Sequence, residues 1–193
     1  VSTGLRQMIL GSKIAPYVDG VWGCEFIEDP APAGYLDSGR KAASRKSKVI
    51  SQIAYALDNT SKTRAVFEIN KGSNKIPDIE VNAMIPDEDR RVPFQNMMYI
   101  ADGPSDIPVF SLINRFGGRT FAVYQPGSSR EFSQVNNLQK QKRVQSFGEA
   151  NYTEDSQTSM WIKNAITEIC SQIVKNRERA LGDKIGKPPK HLE

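Results

Sequence analysis

Histidine and cysteine are scarce in this chain of 193 residues, which holds one histidine and two cysteines. The single histidine, His191, lies next to the C-terminal end, so catalytic triads that need histidine and histidine-rich metal sites are excluded. Cys24 and Cys170 are far apart and form no Cys-x-x-Cys pair. Two incidental thiols are therefore a better interpretation than a disulfide or a zinc site.

Long apolar runs are also missing, since none approaches the roughly 20 residues that a membrane helix needs. Neither a P-loop nor a Gly-x-Gly-x-x-Gly pattern occurs. The composition, 38% hydrophobic and 25% charged, is typical of a globular domain that can bury a core without disulfides. We therefore expect a cytoplasmic protein with no membrane partner.

The net charge of +4 and the isoelectric point near 9.0 raise nucleic-acid binding as an alternative. An excess this small is usually solvated surface charge, so we expect no nucleic-acid partner. Salt-dependent binding to DNA or RNA would support the alternative. Much of the positive charge falls in one segment and in the tail, at Arg40, Lys41, Arg45, Lys46 and Lys48 and at Lys184, Lys187 and Lys190.

Apolar strand patterns alternate with amphipathic helix patterns along the chain, which predicts an α/β fold with a largely parallel sheet flanked by helices. We expect one core domain at 1–180, interrupted by an exposed Pro-, Gly- and Lys/Arg-rich excursion at 28–48. A flexible basic tail follows at 181–193, whose end suits an expression-vector scar or a native terminus. Strands are predicted at 20–27, 49–57, 97–100 and 120–124, and helices near 5–10, 62–70, 109–116, 130–141 and 161–173.

The most informative stretch runs from Met97 to Asp106. A hydrophobic strand leads to Asp102 and Asp106, four positions apart. Parallel α/β sheets bind ligands beyond the carboxyl ends of their strands, and paired carboxylates attract Mg²⁺. Gly103-Pro104 predicts a tight turn that brings the second carboxylate towards the first. The alternative is an acidic turn in which Asp106 caps the following helix.

The segment from Tyr99 to Pro108 resembles the fourth motif of haloacid dehalogenase-like (HAD) hydrolases. The resemblance implies that Asp102 is a direct Mg²⁺ ligand and that Asp106 supports the metal shell or a neighbouring lysine. It extends from Val1 to about residue 175, with motif spacing similar to that of the phosphoserine phosphatase-like branch. It implies a Rossmann-like core and Mg²⁺-dependent hydrolysis of a small phosphorylated substrate through an aspartyl-phosphate.

Two further motifs of that family have counterparts here. Val1-Ser2-Thr3-Gly4 resembles the second motif, in which Ser2 would bind the phosphoryl group beside free backbone N–H groups. The alternative is that Ser2 or Thr3 is only a helix N-cap. For the lysine of the third motif, Lys62 at a helix start is preferred over Lys71 at the helix end. A solvated surface lysine is the alternative for both.

The first motif, Asp-x-Asp after a hydrophobic strand, has no counterpart in the chain. Asp87-Glu88-Asp89 has the spacing but follows a proline in a polar loop, after the second motif. Because the chain opens abruptly at Val1, we expect the nucleophile strand and the helical cap to lie upstream, and the chain alone to be inactive. Neighbouring strands would then pair with that missing segment. The alternative function is a non-catalytic HAD-fold binding or interaction domain.

Overall fold

The computed structural model describes residues 1–28, 34 and 50–184. The chain forms two compact units, Val1–Val66 and Phe67–Glu193. The predicted excursion at 28–48 lies outside the described residues except for its first residue and Gly34. Of the predicted tail at 181–193, only the first four residues are described.

The first unit contains a short helix, an antiparallel pair of strands and the start of a longer helix. Helix α1 spans Arg6–Leu10, strands β1 and β2 span Glu25–Glu28 and Ile50–Tyr55, and α2 spans Ser61–Lys71. The boundary between the two units falls within α2.

The chain just before α1 runs parallel to the chain just before β1. Ser2 donates its backbone N–H to the carbonyl of Trp22 at 2.9 Å, and Cys24 donates to the carbonyl of Gly4 at 2.9 Å. Leu5 and Cys24 form a parallel bridge. These bonds fix the backbone of the Ser2–Gly4 segment within the unit.

The expectation that Ser2 or Thr3 caps the first helix is wrong. The N-cap residue of α1 is Leu5, which has no capping side chain. The Ser2 hydroxyl instead accepts from the backbone N–H of Gly4 at 3.0 Å, closing a local turn. Because backbone bonds to Trp22 and Cys24 hold this segment and Leu5 is extended, the helix begins only at Arg6.

The second unit is a three-stranded parallel sheet flanked by helices, which confirms the predicted α/β class. Its strands β3, β4 and β5 lie side by side in that order and all run parallel. Strand β5 was not predicted from the sequence. The strands span Met98–Ala101, Arg119–Tyr124 and Ser146–Glu149, and the helices α3, α4 and α5 span Ile107–Arg115, Ser129–Lys140 and Gln157–Lys184.

Successive residues of β4 point to opposite faces of the sheet, as strand geometry requires. Ala122 packs in a fully buried cluster with Phe110 of α3 and Val135 of α4. Phe121 lies against the indole of Trp161 of α5, with ring centroids 4.6 Å apart. Helices α3 and α4 therefore cover one face, and α5 covers the other.

Strand β3 has one open edge among the described residues. Its four residues pair in register with β4, from Met98 opposite Arg119 to Ala101 opposite Ala122, and with no other described strand. The N–H and C=O groups on its other edge are oriented to accept a further strand. Within the described part of the chain, no helix is long and apolar enough to cross a membrane.

Candidate active site at the carboxyl end of β3

The acidic loop follows β3 directly. Asp102 is the first residue after the strand and is exposed. Pro104–Asp106 forms a single 3-10 turn, closed by the backbone N–H of Asp106 donating to the carbonyl of Gly103 at 3.0 Å. The predicted tight turn is therefore present, and it places both aspartates at the carboxyl end of a parallel strand.

Asp106 is a buried carboxylate held by two hydroxyl groups. It is only 2% exposed. One carboxylate oxygen accepts from the Tyr99 hydroxyl at 2.5 Å, and the other accepts from the Ser105 hydroxyl at 2.9 Å. Asp106 occupies the N-cap position of α3, but its side chain makes no capping hydrogen bond. Simple capping is thus not what its side chain does.

Tyr99 is one of the two hydroxyl donors to that carboxylate. Burial raises the pKa of its hydroxyl far above the ordinary value, and the hydrogen bond to Asp106 raises it further. The phenol ring packs edge-to-face on Phe110, with centroids 5.5 Å apart. The raised pKa favours the protonated hydroxyl, which is the form that donates to Asp106.

Gln134 of α4 reaches the acidic loop from the neighbouring helix. A Cβ added to Gly103 would lie 2.7 Å from the Gln134 side-chain nitrogen. The amide therefore lies directly against the backbone that joins the two aspartates. Nothing in the sequence pattern indicated Gln134 or the hydroxyls of Tyr99 and Ser105, because only the strand register and the packing of α4 bring them here.

The phosphate-binding candidates Ser2 and Lys62 lie in the first unit, on two segments that meet at Cys24. The Cys24 thiol donates to the carbonyl of Thr3 at 3.2 Å and accepts from the backbone N–H of Leu57 at 3.3 Å. Leu57 lies two residues after β2 and directly precedes Asp58, whose carboxylate caps the start of α2. The turn that contains Ser2 and the start of the helix that contains Lys62 are thus both tied to one residue.

The start of α2 is fixed by reciprocal hydrogen bonds. The Asp58 carboxylate accepts from the backbone N–H of Thr60 at 2.9 Å and of Ser61 at 2.7 Å, while the Ser61 hydroxyl accepts from the backbone N–H of Asp58. The bonds from Ser61 hold the pKa of Asp58 below its ordinary value. Lys62, the second residue of α2, is 4% exposed and is not a solvated surface lysine.

Lys71, the alternative candidate for the phosphate-binding lysine, lies in the second unit and already makes hydrogen bonds to a loop. Its ammonium donates to the carbonyls of Val81 at 2.6 Å and Ala83 at 2.7 Å. It thereby fastens the long loop after α2 to the end of that helix. This geometry favours Lys62 as the phosphate-binding candidate.

The four residues expected from sequence fall into two groups. Asp102 and Asp106 lie together on one loop of the second unit, and Ser2 and Lys62 lie in the first unit. As a Mg²⁺ ligand, the exposed Asp102 carboxylate has suitable chemistry, whereas both oxygens of Asp106 already accept hydrogen bonds. The described residues contain no cluster of three or more His, Cys, Asp or Glu side chains that could hold a metal ion. The predicted role of Asp102 as a Mg²⁺ ligand therefore stays a prediction.

Comparison with known proteins returned one informative relative. The chain is 43% identical over 169 residues to an uncharacterized protein of Borreliella burgdorferi (strain ATCC 35210 / DSM 4680 / CIP 102532 / B31). The match covers 86% of this chain and 56% of that protein, so the chain spans little more than half of its relative's length. No protein-family model matches the sequence. No solved structure matches it either.

Proposed function

We propose that this chain is the larger part of a Mg²⁺-dependent phosphohydrolase of the HAD type, which hydrolyses a small phosphomonoester. The observation that carries the proposal is the loop after β3. There an exposed carboxylate follows a parallel strand, and the second carboxylate is buried and held by Tyr99 and Ser105. A carboxylate fixed in this way at the carboxyl end of a parallel strand supports a ligand site there.

The roles follow from exposure and hydrogen bonding. Asp102 would contribute one oxygen ligand to Mg²⁺, which supplies charge neutralisation to the transferring phosphoryl group when bound. Asp106 would hold the shape of the loop through its hydrogen bonds with Tyr99 and Ser105. The Ser2 hydroxyl would donate a hydrogen bond to a phosphoryl oxygen, and the Lys62 ammonium would balance the negative charge of the phosphoryl group.

The nucleophile would come from outside these 193 residues. The one Asp-x-Asp in the chain, Asp87-Glu88-Asp89, forms a 3-10 turn after Pro86, and Asp87 pairs with Arg90 at 2.8 Å. It does not follow a strand. The open edge of β3 supports pairing with a further strand, one that carries a carboxylate to the same end of the sheet. The greater length of the Borreliella relative is compatible with such a segment.

The chemistry would proceed in two displacements. A carboxylate oxygen of that nucleophile attacks phosphorus, the ester P–O bond breaks, and the alcohol leaves with a proton from a general acid. Water then attacks the aspartyl-phosphate, releases inorganic phosphate and regenerates the carboxylate. Positioning and charge neutralisation are the main contributions of the residues in this chain.

The experiment compares this chain with a longer form that includes the residues preceding Val1 in its gene. Both are assayed for Mg²⁺-dependent hydrolysis of p-nitrophenyl phosphate. We expect turnover from the longer form, its loss in Asp102→Asn, and none from the 193-residue chain. Asp155→Asn, outside the loop, is the matched control and should stay active.

Two results would overturn the proposal. Robust turnover by the 193-residue chain would show that the nucleophile lies within it. An upstream region with no Asp-x-Asp after a hydrophobic strand, together with an inactive longer form, would instead favour the non-catalytic binding domain.

A further inference from the structure

A second candidate site lies in the Phe67–Glu193 unit, away from the acidic loop. It is an open cleft of about 610 Å³, formed where the C-terminal ends of α3 and α4 meet. Because helices run antiparallel to the strands they connect in a parallel sheet, this cleft lies at the amino ends of the strands, opposite the end that carries Asp102. Its lining residues are Ser111, Asn114, Arg115, Gln141, Lys142 and Arg143.

All the ionisable side chains that line the cleft are cationic. Arg119, at the start of β4, pairs with Glu168 of α5 at 3.3 Å, whereas residues 107–148 themselves contain a single carboxylate, Glu131. That carboxylate lies in the first turn of α4, at the other end of the helix, and accepts from the backbone N–H of Gln125. A concave surface with cations of one sign concentrates anions from solution. The six cations of this stretch are Arg115, Arg119, Arg130, Lys140, Lys142 and Arg143.

The floor of the cleft is held by a network of hydrogen bonds. The Arg143 guanidinium donates to the Ser111 hydroxyl at 3.0 Å, and the Asn114 amide donates to the Arg143 carbonyl at 2.6 Å. The Asn114 side-chain oxygen in turn accepts from the hydroxyl of the fully buried Thr120 at 2.7 Å. These hydrogen bonds fix the backbone at Arg143, so a ligand would lose less free energy in ordering the site.

Lys142 occupies a backbone conformation that usually belongs to glycine. Its φ is 57°, and no other described non-glycine residue has a positive φ. The position is the left-handed cap that ends α4, closed by Arg143 donating its backbone N–H to the carbonyl of Leu138 at 2.8 Å. Glycine would adopt this turn with less strain, and Lys140 already supplies a cation to the last turn of the helix. The Lys142 side chain is thus better explained by the cleft than by the turn.

We propose that this cleft binds a compact polyphosphate anion, the di- or triphosphate group of a nucleotide-sized molecule. Its volume suits a small ligand. Three cations gathered in one concavity fit closely spaced phosphates better than a nucleic-acid backbone, which is followed by cations along a stripe. The site is independent of the proposed phosphatase chemistry, because none of its residues belongs to the acidic loop.

The test uses the 193-residue protein and inorganic triphosphate, titrated by calorimetry in the presence of EDTA so that no metal contributes. We expect binding that weakens as ionic strength rises. Lys142→Gly and Arg115→Gln should each weaken it by about tenfold, since each removes a charge-assisted contact. Lys175→Gln, a cation on the exposed part of α5, is the matched control and should bind like the parent.

Lys142→Gly also separates binding from folding. Because glycine suits the left-handed turn, its unfolding temperature should equal or exceed that of the parent while its affinity falls. Failure of the parent to bind triphosphate, or an equal loss of affinity in Lys175→Gln, would overturn the proposal. Tighter binding of a single-stranded oligonucleotide than of triphosphate would also overturn it, because the occupant would then be a nucleic-acid backbone.

Discussion

Tyr99→Phe removes one hydroxyl and leaves the ring that packs on Phe110 in place. The lost hydrogen bond, 2.5 Å long, is donated to a carboxylate that is 2% exposed. Removing one partner of a charge-assisted bond to a buried group costs about 2 kcal/mol. For a protein of this size that corresponds to an unfolding temperature lower by about 4–8 °C.

The assay is thermal unfolding at neutral pH, followed by circular dichroism. Tyr124→Phe on the neighbouring strand β4 is the matched control, because the Tyr124 hydroxyl makes no hydrogen bond to any described residue. We expect that control to lie within about 0.5 kcal/mol of the parent. If Tyr99→Phe is as stable as Tyr124→Phe, the hydroxyl does not hold the Asp106 carboxylate and the account of the acidic loop is wrong.

Four further substitutions test other parts of the account. Asp102→Asn should abolish Mn²⁺ binding by the longer form, measured by calorimetry. It should leave the unfolding temperature unchanged, because Asp102 is exposed. Asp106→Asn should instead lower the unfolding temperature, because the Asp106 carboxylate is buried. Lys71→Met should destabilise the second unit by about 2 kcal/mol and speed proteolysis of the loop after α2, since two loop carbonyls lose their donor; proteolysis at the parental rate would contradict this. Asp58→Ala should lower the unfolding temperature at neutral pH. Because the folded-state pKa of Asp58 lies below its ordinary value of 3.8, the carboxylate's contribution is complete above that value and declines as the pH falls through the lowered pKa. The deficit of the variant should therefore shrink in acid, and a constant deficit would argue against the cap.

Local signals in the sequence were strong enough to predict the elements around the candidate site. Helix α2 follows Asp58, whose carboxylate caps it, and the predicted range of 62–70 agrees closely with the observed Ser61–Lys71. Strand β3 and helix α3 were likewise predicted from apolar residues at strand and helix spacing. The two helices follow loops with capping or turn residues, and β3 is a short continuous apolar run.

Strand β5 and the length of α5 could not be predicted in the same way. The four residues of β5, Ser146–Glu149, are too few and too polar to show a pattern. Gly148 fits there because a Cβ would lie 2.8 Å from the Thr158 hydroxyl and 3.0 Å from the Phe121 ring, contacts that exist only after folding. The second half of α5 is largely exposed, so its continuation depends on helix propensity rather than on an apolar stripe.

The residues of the candidate site, like the elements of the fold, could be predicted only in part. Asp102 and Asp106 were predicted because a hydrophobic strand leads directly to them. The donors to Asp106 were not, because Tyr99 belongs to the apolar pattern of β3 and only the fold turns its hydroxyl towards the carboxylate. Gln134 is 31 positions beyond Gly103 in the sequence and reaches it through the packing of α4.

The most direct measurement is a crystal structure of the longer form grown with Mg²⁺ and inorganic phosphate. The account predicts a metal ion bound by the Asp102 carboxylate and a phosphate that contacts the Ser2 hydroxyl and the Lys62 ammonium. It is contradicted if those three side chains surround no common ligand, or if the metal ion binds elsewhere in the protein.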